Sequence, residues 1–372
     1  MRLLLDVSAV PARPVGAGVY TVEIARTLDR RVDLDLHLVT RTDDASRWTT
    51  IAPSATVHAD VPVSRPARLV WEQSGAPKLA RRVKAELWHG PHYTLPLRLD
   101  IPSVVTMHDL TFFEHPEWHE RSKVLFFRRM IRASTARAAS IIAVSAHTAR
   151  RLDAVLAPST PTFVAPHGVD HQRFVPEGVD DRERLAASGI VAPYLAFAAT
   201  IEPRKDVPNL IRAFASIADE LPDLTLVIAG RDGWGTRPVR DAAAVSGHTT
   251  RIMRVGWMDG ATLPAFFRGA EAVAYPSLEE GFGLPALEAL ACGAALVTTT
   301  GSAMEEVVDN AALLVPPGDA RALGASLLQV CTDSKLRDRL RALGPERAHQ
   351  FTWEASADQH LAAYAAALGG RA

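Results

Sequence analysis

The sequence predicts an α/β protein built from two doubly wound parallel-sheet domains. Three observations carry this reading. The 372 residues suggest two domains at roughly 150 residues each. Short apolar runs alternate with helical patterns, and most of these runs are apolar throughout, as parallel strands covered on both faces require. The pattern runs through the chain twice, separated by a polar, Pro- and Gly-containing stretch from about His167 to Pro193.

In the first half the sequence predicts strands at Leu3 to Asp6, Val32 to Val39, Leu87 to His89, Ser103 to Met107, Ile141 to Val144 and Thr162 to Ala165. Val32 to Val39 is the exception to the apolar runs, because it alternates like a half-buried strand. Helical patterns cover Gly18 to Leu28, Leu69 to Lys84, Arg121 to Ala139 and Ala146 to Leu156. In the second half strands are expected at Tyr194 to Thr200, Leu224 to Ala229, Arg251 to Val255, Ala272 to Tyr275, Ala295 to Thr298 and Ala312 to Val315. Leu210, Ile211, Phe214 and Ile217 recur at helical spacing within Asn209 to Leu221. Thr262 is expected to cap a helix reaching Gly269, and Asp319 one reaching Val330. Pro285 to Cys292 has proline near its start and Gly293 just past its end, the usual helix asymmetry. Met304 to Val308 makes a helical turn. The expected domains are 1–180 and 190–350, with an amphipathic helix over 353–372 packing back on the first.

Composition removes several classes of function. Lys plus Arg number 41 and Asp plus Glu 42, a balance that argues against a nucleic-acid partner. Two cysteines, Cys292 and Cys331, make neither a disulfide framework nor a cysteine zinc site, and they fit a reducing cytoplasm. Asp6 comes too early for a signal peptide, and Ala289 to Met304 is shorter than the ~20 residues of a membrane span. Charge is uneven: residues 1–180 hold 23 basic and 19 acidic side chains, and the remainder 18 and 23.

The most informative segment is Leu278-Glu279-Glu280-Gly281-Phe282-Gly283-Leu284-Pro285-Ala286-Leu287-Glu288. A strand ends at Tyr275, a glycine loop follows, and a helix opens near Pro285. Such a loop brings backbone N–H groups to a phosphate, and the helix N-terminus adds partial positive charge. Glu280 and Glu288 bracket that helix end, where each can accept hydrogen bonds from sugar hydroxyls. Glycosidase carboxylates would instead flank a scissile bond and need no phosphate cradle. Arg204 and Lys205 follow a strand at the edge where open α/β sheets bind ligands, and can neutralise a departing diphosphate. Gly16-Ala17-Gly18 opens the first helix, but Thr21 stands where a dinucleotide fingerprint needs its third glycine. His108 and Asp109 end a strand as a potential acid/base pair. His89, His92 and His167 read as loop residues with weaker claims. Asp33-Leu34-Asp35 reads as part of an alternating strand and not as a metal site.

The Glu280-x7-Glu288 segment, within Ala274 to Pro285 and onward, resembles the motif of retaining GT-B glycosyltransferases of glycosyltransferase family 4, and looks like their mannosyl- and rhamnosyltransferase-like members. Trp88-His89-Gly90-Pro91-His92, Val105 to Leu110, Ala143-Val144-Ser145, Pro166 to Asp170 and Thr200 to Lys205 are similar to further pieces in the family's order. The resemblance implies two Rossmann-like domains facing a cleft, with the acceptor mainly on the first and the donor sugar nucleotide mainly on the second. It implies that Glu288 binds the ribose and Glu280 the donor sugar. Gly281, Phe282, Gly283 and Leu284 would hold diphosphate and sugar through their backbone. Gly16 and Gly18 would lie over the donor phosphates, and His108 by the reacting centre. Thr200 stands where many members carry an arginine, and Arg204 would take over that charge.

The activity so implied is metal-independent transfer of a hexose, mannose first among them, from a nucleoside-diphosphate sugar to a hydroxyl, with no cofactor. A sugar-nucleotide epimerase or hydrolase and a non-catalytic sugar-nucleotide binder are the rival readings. Arg121 to Leu152 carries eight basic residues and no acid, with Val124, Leu125, Phe126, Phe127, Met130 and Ile131 among them. That pattern suits peripheral contact with an anionic membrane and a lipid-linked acceptor. A glycan or a small molecule is the alternative acceptor.

Overall fold

The computed structural model describes residues 1–369. It contains two parallel sheets, each in its own compact unit. Unit 1 comprises Met1–Gly168 together with the helix Trp353–Gly369, and unit 2 comprises Val169–Thr352. Residues 370–372 of the helix expected over 353–372 lie outside the described residues.

Unit 1 holds seven strands: β1 (Arg2–Asp6), β2 (Asp35–Arg41), β3 (Thr56–Val61), β4 (Leu87–Gly90), β5 (Ser103–Met107), β6 (Ser140–Ala143) and β7 (Thr162–Val164), in the order β3-β2-β1-β4-β5-β6-β7. Unit 2 holds six: β8 (Tyr194–Ala198), β9 (Thr225–Ala229), β10 (Ile252–Gly256), β11 (Ala272–Tyr275), β12 (Leu296–Thr299) and β13 (Ala312–Val315), in the order β10-β9-β8-β11-β12-β13. Central strands are buried on both faces: every residue of β4, β5, β6, β8, β11 and β12 is buried. That is why they read as unbroken apolar runs.

The strand order fixes where chemistry can sit. The winding reverses between β1 and β4 in unit 1 and between β8 and β11 in unit 2. Loops leaving the carboxyl ends of such neighbouring strands diverge and leave a crevice. The loop after β8 carries Arg204 and Lys205, and the loop after β11 carries Glu280 to Gly283. The loop after β1 carries Gly16 to Gly18.

Several elements depart from the sequence reading. Leu69 to Lys84 is not one helix but two, Arg65–Ser74 and Ala76–Arg82. They part at Gly75, where an added Cβ would strike the Trp71 ring at 2.4 Å. The second begins with Pro77 in its first turn, where a missing N–H costs nothing. Thr262 is the first residue of its helix rather than the cap, and Asp259 Oδ1 accepts from the N–H groups of Ala261 and Thr262 at 2.8 Å. Asp319 does cap its helix, accepting from Ala322 at 2.9 Å. Asp33 lies before β2, and Asp35 at its start pairs with Arg2 at 2.6 Å. His89 belongs to β4 and is fully buried, so it is no loop residue.

Candidate active site

Unit 2 brings together residues far apart in sequence at its reversal point. Arg204 and Lys205 occupy a short 3-10 turn, Pro203–Lys205. The Arg204 carbonyl accepts from the Leu278 N–H at 2.7 Å, which ties the two loops together. Glu280 is 5% exposed, yet two cations grip it: Arg204 Nη1 donates to Oε2 at 2.7 Å and Lys205 Nζ donates to Oε1. Lys205 also donates to the Tyr275 hydroxyl at 2.5 Å, and Arg204 Nε pairs with Glu202 at 2.6 Å.

The electrostatics of this cluster are strongly coupled. Burial alone would raise the Glu280 carboxyl, but Arg204 and Lys205 outweigh it and bring it down to about 2. Burial and the neighbouring Arg204 pull the Lys205 ammonium down, and Glu280 and Glu202 pull it back. Burial and Glu280 push the Tyr275 hydroxyl well up. A buried carboxylate flanked by two cations resists protonation and leaves one formal positive charge on the three residues. Glu202 brings the group to neutrality. An incoming dianion would have to draw the cations away from these carboxylates.

The glycine loop is fixed beside this cluster. Gly283 caps the helix Leu284–Ala291 with φ of 102°, a conformation that favours glycine. A Cβ there would meet the Met304 sulfur at 2.3 Å. Its carbonyl accepts from Ala286 and Leu287, so the first turn is well formed. Gly281, Phe282 and Leu284 are buried, and Phe282 sets its ring edge-on to Phe351 at 5.8 Å. Glu288 is half-buried, one turn into the helix. Glu280 and Glu288 thus sit on either side of a helix N-terminus, whose leading N–H groups lack intrahelical acceptors.

Unit 1 places the other sequence candidates. Gly16 has φ of 49° and caps the helix Ala17–Asp29. Gly18 lies close to Pro14, which an added Cβ would approach to 3.1 Å. His108 follows β5 and is 8% exposed. Its Nε2 donates to the Pro91 carbonyl at 2.8 Å. Asp109 Oδ1 instead accepts from the Thr111 N–H at 3.1 Å and hydroxyl at 2.7 Å. Burial lowers the His108 pKa despite Pro91 and Asp109, so its ring is neutral.

Residues 14–173 match the Glycosyltransferase Family 4 domain and residues 187–347 match Glycosyl transferases group 1. The chain belongs to the group 1 glycosyl transferases. It is similar to O-antigen chain mannosyltransferase B of Escherichia coli, with 29% identity across 76% of this chain and 75% of that one. It is also similar to the D-inositol 3-phosphate glycosyltransferase of Jonesia denitrificans, with 31% identity across 72% of this chain and 66% of that one. Its fold is that of Anabaena Alr3699/HepE, solved with UDP and glucose, at a TM-score of 0.79 and 18% identity over 98% of this chain and 99% of that one. The architecture is therefore GT-B, two Rossmann-like domains with parallel sheets.

For this glycosyltransferase, sequence reasoning named Arg204, Lys205 and Glu280 separately, and the fold joins them in one buried ion cluster. It did not name Glu202 or Tyr275, which complete it. Glu202 carried a faint signal, an acid two residues before Arg204. Tyr275 looked like the last residue of a strand, and nothing local shows that its hydroxyl meets a lysine 70 residues away. Among the described residues, no three His, Cys, Asp or Glu side chains converge so as to hold a metal.

Proposed function

We propose that this glycosyltransferase moves a hexose, with mannose the first to test, from a nucleoside-diphosphate sugar to an acceptor hydroxyl with retention at the anomeric carbon. The observation that carries the reading is the Arg204–Glu280–Lys205 cluster beside the Gly283-capped helix at the reversal point of unit 2. The helix N-terminus and the two cations suit the diphosphate, and Glu280 and Glu288 suit sugar and ribose hydroxyls. Lys205 and Arg204 meet the negative charge that grows on the leaving phosphate, and need no metal to do so. Gly16, Gly18 and His108 are the proposed donor-binding and catalytic residues of unit 1. The leaving phosphate itself takes the acceptor proton, so no separate protein base is required. The UDP and glucose held by Alr3699/HepE and the mannosyltransferase name of the Escherichia coli relative support a nucleotide-sugar donor.

Thermal-shift screening with UDP, GDP, TDP and ADP tests the reading, because a ligand bound only by the folded state raises Tm. One diphosphate is expected to stand out. Glu288→Ala should then weaken it by about tenfold to a hundredfold in calorimetric titration, the loss expected for a hydrogen bond to a charged acceptor. Unchanged affinity in the variant would remove Glu288 from the ribose site.

The acceptor side is proposed to be cytoplasmic and peripheral to an anionic membrane, with a lipid-linked or glycan acceptor. Among the described residues no helix is long and apolar enough to cross a membrane. The helix Arg121–Arg137 exposes Leu125, Arg121 and Arg129. Part of its charge is engaged: Arg128 donates to the carbonyls of Phe112 and Phe113, Arg137 to that of Leu99, and Arg132 lies over the Phe113 ring. Each remaining cation contributes about 1 kcal/mol near an anionic surface, so binding should be reversible and salt-sensitive. Co-sedimentation with anionic vesicles at low salt, reversed by added salt, is the expected result. Equal recovery in the supernatant with anionic and neutral vesicles would favour a small-molecule acceptor.

A further inference from the structure

Unit 1 contains a second buried polar cluster that the proposed reaction does not use. The helix Trp353–Gly369 supplies His360, Tyr364 and the Ser356 carbonyl, the helix Ala17–Asp29 supplies Tyr20, β4 supplies His89 and β5 supplies Thr106. The five side chains are fully buried. Five hydrogen bonds join them in series. Tyr364 Oη lies 2.8 Å from His89 Nδ1, and His89 Nε2 lies 2.8 Å from Thr106 Oγ1. Thr106 Oγ1 lies 2.8 Å from Tyr20 Oη, which lies 2.7 Å from His360 Nε2. His360 Nδ1 lies 2.7 Å from the Ser356 carbonyl.

Every proton in this series has one possible place. A carbonyl only accepts, so His360 Nδ1 carries hydrogen. Burial holds the His360 ring down to about 4, so at neutral pH its Nε2 is a bare acceptor. Tyr20 must donate to it and has no second hydrogen, so it accepts from Thr106. Thr106 has then used its own hydrogen and accepts from His89 Nε2. Burial drives His89 well below its ordinary value, so its Nδ1 is bare and accepts from Tyr364. The two histidines therefore carry opposite tautomers.

Tyr20 also forms a wall of His108: the rings meet edge to face with centroids 5.0 Å apart, and His167 lies against Tyr20 at 4.8 Å and His108 at 5.9 Å. We propose that Tyr20 is a positioning residue, the middle link of one proton-ordered chain from Tyr364 through His89, Thr106 and Tyr20 to His360 and Ser356 that fastens the C-terminal helix to the first sheet and sets the ring of His108. The value of His108 to catalysis rests on the function proposed above, whereas the chain stands without it.

Nitrogen-15 NMR of the full protein labelled at histidine, at neutral pH, reads the tautomers directly. His360 should show a protonated Nδ1 and a bare Nε2, and His89 the reverse. Tyr20→Phe keeps the ring and removes the hydroxyl. It should move the His360, His89 and His108 signals and leave His248 of unit 2 unchanged. Thr106→Val, which cuts the next link, should move His89 and His360 and serves if the phenylalanine variant does not fold. Either histidine in the other tautomer or doubly protonated, or a Tyr20→Phe variant that shifts His360 alone, would overturn the proposal. Failure of every nucleotide to bind the wild type would instead count against the proposed function and leave these signals as expected.

Discussion

Lys205→Ala is expected to lower turnover about a hundredfold to a thousandfold, the usual cost of removing one preorganised donor to a developing charge. KM for the donor should change far less, because negative charge on the leaving phosphate is greatest as the bond to sugar breaks. The ammonium is 5% exposed and held at the site by Glu280 and Tyr275, so the incoming diphosphate has only to draw it from one carboxylate. Steady-state rates with saturating donor, alongside Tm, separate this role from a structural one. Lys205→Ala leaves Glu280 its Arg204 partner, so the fold should survive. Glu280→Ala leaves Lys205 buried without its carboxylate, and removing one partner of a buried ion pair costs about 3–5 kcal/mol. A Lys205 variant with normal kcat and a raised KM would contradict the leaving-group role.

The second large effect is acid lability of unit 1. His89, His108, His167 and His360 are buried there and His92 is half-buried, and desolvation lowers the pKa of each, to about 3 for His92 and about 4 for His360. Above about pH 6.5 these rings are neutral whether the chain is folded or unfolded, and they give no pH dependence. Below 6.5 the unfolded chain binds protons that the folded one refuses, so stability falls with pH down to the folded values. Each participating ring costs about 1.4 kcal/mol per pH unit. His92 and His360 acting over two units remove about 6 kcal/mol, comparable with the stability of a marginal domain. Asp109 works against this by pulling His92 and His108 up, while Arg68 pushes His92 down. Glu72 also opposes it: burial and Asp6 raise its carboxyl to about 7, so it stabilises the fold as pH falls from 7 towards 4.5. Asp6, whose carboxyl burial also raises, acts the same way, so two carboxyls stand against these five rings. Urea unfolding followed at pH 7 and pH 5 should show the transition of unit 1 moving to lower urea, ahead of that of unit 2. Two transitions that both stay in place would refute the assignment of these rings as neutral and buried.

The two sheets were legible because central parallel strands such as Leu87–Gly90 and Ala272–Tyr275 are apolar on both faces and bounded by loop residues. Amphipathic and polar helices were harder. Ser334–Ala348 was missed because it is rich in charge and carries Pro345 inside. Ala45–Ile51 and Asp181–Ala187 are short and each buries a single side chain, Trp48 and Leu185. The site was legible where function is written locally, as in Glu280 to Glu288. It was illegible where partners meet through the fold. His360 looks like any polar residue of an alanine-rich helix, and only topology brings it to Tyr20, 340 positions away.

The assignment of Trp353–Gly369 to unit 1 has a consequence for how the chain matures during synthesis. Unit 2 is one unbroken stretch of sequence and can fold as soon as it has emerged from the ribosome. Unit 1 is interrupted by it: its strands are made early, but the helix that supplies partners to His89 and Tyr20 is made only after unit 2. Until that helix arrives, polar groups destined for the interior can be satisfied only by water, and the nascent sheet stays open. The order of folding is therefore inverted relative to the order of translation, with the later-made half complete before the earlier one closes.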